Sequence, residues 1–131
     1  MQLSLKDELP VIPIRLGHHG TALDIPDVLI DTGSARTIFA ADMVAQLSVL
    51  PAADDILYAI RGVGGREVVF ARVIDELRIA GEAIGPIEIE VGGMDYGFAI
   101  NGILGMDVLR RARALIDLGE LSLEVHAATG S

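Results

Sequence analysis

Fifteen glycines and five prolines fall between short runs rich in Val, Ile and Leu, and that punctuation restricts the chain to many short strands joined by tight turns. The expected fold is mainly β, with one or two short helices. At 131 residues the chain is of single-domain size and can bury roughly two-thirds of its unfolded surface in one core. A single domain over residues 1–131 is expected, with its core over about 9–125. The hydrophobic share of 51% and mean hydropathy of +0.50 run opposite to the composition of disordered chains.

The strand order can be read from the runs. Leu9 to Leu16 reads as a strand closed by Gly17-His18-His19-Gly20, with Thr21 to Ile25 returning beside it. Pro10 and Pro13 push the first of these towards a sheet edge. Val28-Leu29-Ile30 is continuously apolar and suits a strand buried on both faces. After Thr37-Ile38-Phe39, Asp42 can cap a short helix with Met43, Val44 and Leu47 on one face. Ile56 to Arg61 and Arg66 to Val73 flank Gly62-Val63-Gly64-Gly65 as a long hairpin with a glycine-dense tip. Ile87 to Val91 alternates apolar and acidic residues, so one face is buried. Phe98-Ala99-Ile100 leads through Asn101-Gly102 into Ile103-Leu104-Gly105. Met106 to Leu115 carries apolar residues at 108, 109, 112 and 115, the helical repeat, and Leu121 to Val125 reads as a last strand. A faint internal echo links Val28 to Leu47 with Phe98 to Leu115, since each runs from an apolar strand through a glycine turn into a helix.

Ten basic against 19 acidic residues give a net charge of −9. With no basic cluster, that field repels phosphate backbones and anionic lipid, so neither nucleic acid nor a membrane surface is an expected partner. The chain has no cysteine, which excludes thiol nucleophiles and zinc–thiolate sites. Charges at Lys6, Asp7 and Glu8 interrupt the start where a secretory signal needs an apolar run. A cytoplasmic setting is expected.

Asp31-Thr32-Gly33-Ser34 is the most informative tetrapeptide. A carboxylate at the exit of an apolar strand is costly to bury unless hydrogen-bonded, and perturbed carboxylates cluster at functional sites. Gly33 frees the backbone to turn and offer amide donors to it. Taken alone, the motif is better explained by a carboxylate that caps its own turn, and Gly62 to Gly65 by an ordinary loose turn.

In combination the reading changes. The order Val28-Leu29-Ile30-Asp31-Thr32-Gly33-Ser34, then Gly62-Val63-Gly64-Gly65, then Ile103-Leu104-Gly105 followed by a helix, resembles the retropepsin-like aspartic peptidases over residues 9 to 125. The resemblance implies the retropepsin-like acid protease fold, a closed, pseudo-duplicated, barrel-like half. It implies Asp31 as the catalytic aspartate, supported by Thr32, Gly33 and Ser34, and a flap over 56 to 73 with Gly62, Val63, Gly64 and Gly65 at its tip. Ile100 and Ile103 would line apolar pockets for an extended peptide or protein substrate. The chemistry needs two carboxylates, one ionised and one protonated, and the chain carries one Asp-Thr-Gly, so a homodimer with the site on its two-fold axis is expected. Thr32 would join the two loops across that axis. No metal or organic cofactor is implied.

Two departures stand out. Retroviral members usually carry an aspartate and an arginine where this chain has Ala35 and Met106, so the ion pair that braces their dimer is absent, and the interface is expected to be built differently. The helix near Asp42 to Leu47 looks more like cellular and prokaryotic members. Where retroviral members commonly have alanine, this chain has Ser34, whose hydroxyl could donate to the Asp31 carboxylate and lower its pKa. His18, His19 and His126 read as solvated loop residues, Asp54, Asp55 and Asp95 as surface charges, and Asp107 as a first-turn helix acid. The competing function is a retropepsin-like dimerisation or peptide-binding module with little hydrolysis. A phosphate loop of the actin-like ATPase kind needs far more chain.

Overall fold

The computed structural model describes residues 1–52, 55–62, 65–93 and 99–126, with side chains described except at 58–62 and 65–68. The fold is mainly β. Strands β2 (Leu9–His18) and β3 (Thr21–Ile30) form a long hairpin. Its two-residue turn puts His19 at φ 49° and Gly20 at φ 81°, the pair of left-handed conformations that matches the twist of the flanking strands. The two segments expected at Thr21 to Ile25 and Val28 to Ile30 are one strand, continuous through Asp27 at φ 56°.

The prolines do not make β2 an edge strand. One side pairs with β3, the other with β1 (Ser4–Lys6) and then with β7 (Glu76–Ile79). Pro13 falls between those two partners and at the register shift between Ile12 and Ile14. Its missing N–H therefore breaks no ladder, which is why proline is tolerated at bulges.

The remaining strands are β4 (Ile38–Ala40), β5 (Tyr58–Gly62), β6 (Gly65–Ile74), β8 (Glu82–Ile84), β9 (Ile87–Gly92) and β10 (Gly102–Leu104), followed by β11 (Leu115–Asp117) and β12 (Ser122–Glu124). Ten of them form one sheet in the order β5-β6-β9-β4-β10-β3-β2-β7-β8, with β1 beside β2; β11 and β12 pair separately. The large sheet curls on itself. Strands β2 and β6 touch although β9, β4, β10 and β3 lie between them in hydrogen-bonding order.

Curling encloses two apolar clusters. The larger gathers fully buried residues such as Ile14, Leu16, Phe39, Leu77 and Leu104. The smaller joins Val11, Leu29, Ile38, Val69, Ile100 and Ile103. Within β9, Ile87, Ile89 and Val91 are buried and Glu88 is exposed, as the alternation requires.

The helices are shorter than their sequence patterns. Helix α1 (Ala41–Val44) continues as one 3-10 turn over Ala45–Leu47, with Val44 and Leu47 buried. Ala40, not Asp42, is its N-cap, and no side chain caps it. Helix α2 (Met106–Arg111) ends at Ala112 because Arg113 adopts φ 53°, where an L-residue cannot continue a right-handed helix. Leu115, expected as the helix's last apolar contact, instead starts β11 and is 59% exposed. The last strand, expected over Leu121 to Val125, is β12, and it pairs within the chain. It lies between β11 and the N-terminal segment, where Gln2 bridges Ser122 and Leu123 N–H donates to Met1 O. No helix among the described residues is long and apolar enough to cross a membrane.

Candidate active site

Strand β10 lies between β3 and β4, parallel to the first and antiparallel to the second. Residues 31–37 join β3 to β4 and so must pass around the end of β10. Asp31 is the first residue of that loop. Its backbone N–H donates to Leu104 O at 3.0 Å, which extends the β3–β10 pairing by one residue and fixes where the side chain emerges.

The Asp31 carboxylate is half-buried, and its Oδ1 accepts the Gly33 N–H at 2.9 Å. Ser34 N–H closes the turn onto Asp31 O at 3.2 Å. Glycine is required at 33 by close approach, since a Cβ there would lie 3.2 Å from Asp31 Oδ1. Thr32 is exposed, and its hydroxyl has no hydrogen-bond partner among the described residues. Ser34 Oγ donates to Arg36 O at 2.8 Å. That bond uses its single proton, so the expected donation from Ser34 to the Asp31 carboxylate is not made.

Helix α2 holds the loop from behind. Its first backbone donors, Met106 N–H and Asp107 N–H, reach Ser34 O at 2.7 Å and Ala35 O at 3.3 Å. Two amides that a helix N-terminus otherwise leaves unsatisfied are thus spent on the site loop. Asp107 goes further than the macrodipole role its sequence position suggests. Its carboxylate accepts Thr37 Oγ1–H at 2.7 Å, Thr37 N–H at 3.1 Å and Val108 N–H at 2.8 Å, while Gly105 N–H donates to Thr37 Oγ1 at 2.9 Å. Thr37 is completely buried. This network, entirely within the chain, braces the loop although Ala35 and Met106 cannot form an ion pair. Sequence reasoning missed it; the available signal was a Thr six residues after Asp31 together with an acid two residues after Gly105. Gly105 itself admits no side chain, because a Cβ would fall onto the Arg36 carbonyl.

The hairpin expected over 56 to 73 is present in its backbone. Strands β5 and β6 form a hairpin closed by the Gly62–Gly65 pair, while Val63 and Gly64 lie outside the described residues. Ile100 and Ile103 are only 5% and 7% exposed and pack in the smaller cluster. There they share a cluster with Val69 of the hairpin and Leu29 of the strand that delivers Asp31.

Two peripheral readings need correction. His18 is buried at 7% exposure, not solvated, and stacks on His19. Burial lowers its pKa, and its Nδ1 has no hydrogen-bond partner. Asp55 is not a free surface charge but an ion-pair partner of Arg72 at 2.7 Å. Asp54 and Asp95 lie outside the described residues.

A curled β half-barrel with an Asp-Thr-Gly loop wrapped around an inserted strand defines an acid-protease architecture, and comparison with known proteins agrees. The family model for aspartyl proteases matches residues 15–108. The chain therefore belongs to the retropepsin-like aspartic peptidase family. Among solved structures, it superimposes on EIAV protease complexed with the inhibitor HBY-793 at a TM-score of 0.59 and 22% identity, covering 86% of this chain and 95% of that one. The retroviral protease-like domain of Ddi1 from Leishmania major matches at a TM-score of 0.57 and 19% identity, over 88% and 87% of the two chains. No curated protein matches by sequence.

Proposed function

We propose that this chain is one domain forming half of a homodimeric aspartic endopeptidase. The observation that carries the reading is the Asp31 carboxylate, held by Gly33 N–H in a loop that helix α2 braces, in a chain with a single Asp-Thr-Gly. In this chemistry one carboxylate takes a proton from water while its twin, protonated, polarises the scissile carbonyl. Two adjacent aspartates share one proton because both cannot ionise side by side, which provides both forms at once. Asp31 of a second copy supplies the twin, and Thr32, exposed and free to hydrogen-bond, faces that copy. The β5–β6 hairpin closes over an extended peptide, its glycines allowing close approach of backbone to backbone.

Incubation with a mixed peptide library between about pH 4 and 7 tests this, in the range where such a shared proton operates. The wild-type protein is expected to cleave, and Asp31→Asn to lose cleavage by at least about a thousandfold. Peptide capture without products from either protein would instead identify a peptide-binding module.

A further inference from the structure

Among the described residues, His18 is the one titratable side chain that is buried, and the peptidase chemistry does not use it. It ends β2, and its Nδ1 has no hydrogen-bond partner. A buried polar atom left unpaired is costly and calls for a reason. Its surroundings supply one. The ring stacks on that of His19 in the β2–β3 turn, with 3.8 Å between centroids. Asp75, between β6 and β7, places its Oδ1 3.9 Å from His18 Nδ1, beyond hydrogen-bond reach. The other oxygen, Oδ2, accepts His19 N–H at 2.8 Å. One carboxylate therefore ties the turn to the β6–β7 corner while its second oxygen stands near the unpaired nitrogen. The other charged groups around the ring are already engaged: Arg72 of β6 pairs with Asp55, Glu76 of β7 with Arg78, and Arg15 of β2 with Asp24. An open hollow of about 240 Å³ adjoins the ring, lined among others by Gly17, Gly20, Thr21, Asp75 and Glu76.

We infer that His18, His19 and Asp75 form an acid-released latch between the β2–β3 turn and the β6–β7 corner. With His18 neutral, its ring packs against His19 and the Asp75 carboxylate holds the turn amide. A proton on His18 creates a cation that burial, the His19 ring and Arg72 all disfavour, and that Asp75 alone favours. The imidazolium relieves this by leaving the stack for the hollow, where water and Asp75 receive it, and the His19 N–H bond to Asp75 is given up with the stack. The opening stays local, because Leu16, Ile74 and Leu77 beside it are fully buried and hold their strands in the core. Strand β6 is also half of the hairpin proposed to close over substrate, so the latch anchors the far end of that hairpin and loosens it in acid. This consequence rests on the peptidase reading; the latch itself does not.

The test is amide hydrogen exchange of the full chain, corrected for intrinsic rates, at about pH 7.5 and about pH 5, either side of the ordinary imidazole pKa. Protection of residues 17–22 and 75–77 is expected to fall at least about tenfold more than that of Leu29 and Ile89 in the core. His18→Phe, which keeps a ring in place but takes no proton, should abolish the difference. Asp75→Asn retains an oxygen for His19 N–H but withdraws the charge that favours the imidazolium, so in this variant the opening should move to lower pH. Equal protection at the two pH values in the wild type overturns the latch. So does a loss spread evenly over all strands, or one that persists in His18→Phe. Should thermal melts show His18→Phe to be unfolded, Asp75→Asn decides, and an opening that stays in place or moves to higher pH overturns the proposal. Exchange needs no substrate, so Asp31-dependent cleavage, measured separately, stands or falls independently of the latch.

Discussion

At the residue scale, the site depends on two short side chains that do not touch the reacting atoms. Asp107 satisfies both the hydroxyl and the backbone N–H of Thr37, which has no access to water. Removing a carboxylate that leaves buried donors unpaired costs about 1–3 kcal/mol for each donor. Asp107→Ala should therefore lower unfolding free energy by about 2–4 kcal/mol in urea titration, with Asp107→Asn losing less because its amide oxygen can still accept. Ser34 behaves differently. Since its proton is committed to Arg36 O, Ser34→Ala should destabilise the protein by only about 1 kcal/mol and leave the pH–rate profile of cleavage in place. A profile shifted by the substitution would show that the hydroxyl turns to Asp31 during turnover.

At the element scale, the β2–β3 turn meets the end of β6 through a buried histidine. His18 titrates below its ordinary 6.5 chiefly because burial disfavours the cation; His19 and Arg72 lower it further, and Asp75, 3.9 Å from its Nδ1, raises it. The folded state thus binds this proton more weakly than the unfolded chain. Its contribution is fully present above about pH 6.5 and is lost as pH falls below that, until the folded group also titrates. Subtracting the stability-versus-pH curve of His18→Phe from that of the wild type should expose this loss on the acid side. A difference curve flat from pH 8 to 5, about the span of a perturbed imidazole, would contradict it.

The elements also show where the sequence was legible and where it was not. The apolar run Val28-Leu29-Ile30 reads directly as a doubly buried strand because every residue in it has the same preference. The hairpin over β5 and β6 and the alternation in β9 are equally plain. The short strands β1, β7, β8 and β11 were missed, since three or four residues are too few for a period and exist only because a neighbour supplies hydrogen bonds. Helix α2 was drawn too long because Ala112 and Leu115 continue the helical repeat, and periodicity does not register that Arg113 turns left-handed.

For the whole molecule, the half-site proposed above would tie activity to assembly. Specific activity should fall on dilution, with a midpoint matching the dimer dissociation constant from sedimentation, and recover on reconcentration. Activity per chain that is constant down to fully monomeric concentrations would mean that one copy suffices.

What the sequence alone determined is the family resemblance and the address of the candidate site: one Asp-Thr-Gly at the end of a buried strand, a glycine-tipped hairpin, and Ile103-Leu104-Gly105 before a helix. Such features are local, because strand burial, turn formation and close backbone approach are properties of adjacent residues. The tertiary structure decided what braces the loop and where Ser34 sends its proton. Those outcomes depend on residues such as Thr37 and Asp107, 70 positions apart, that meet only after β10 has been inserted between β3 and β4.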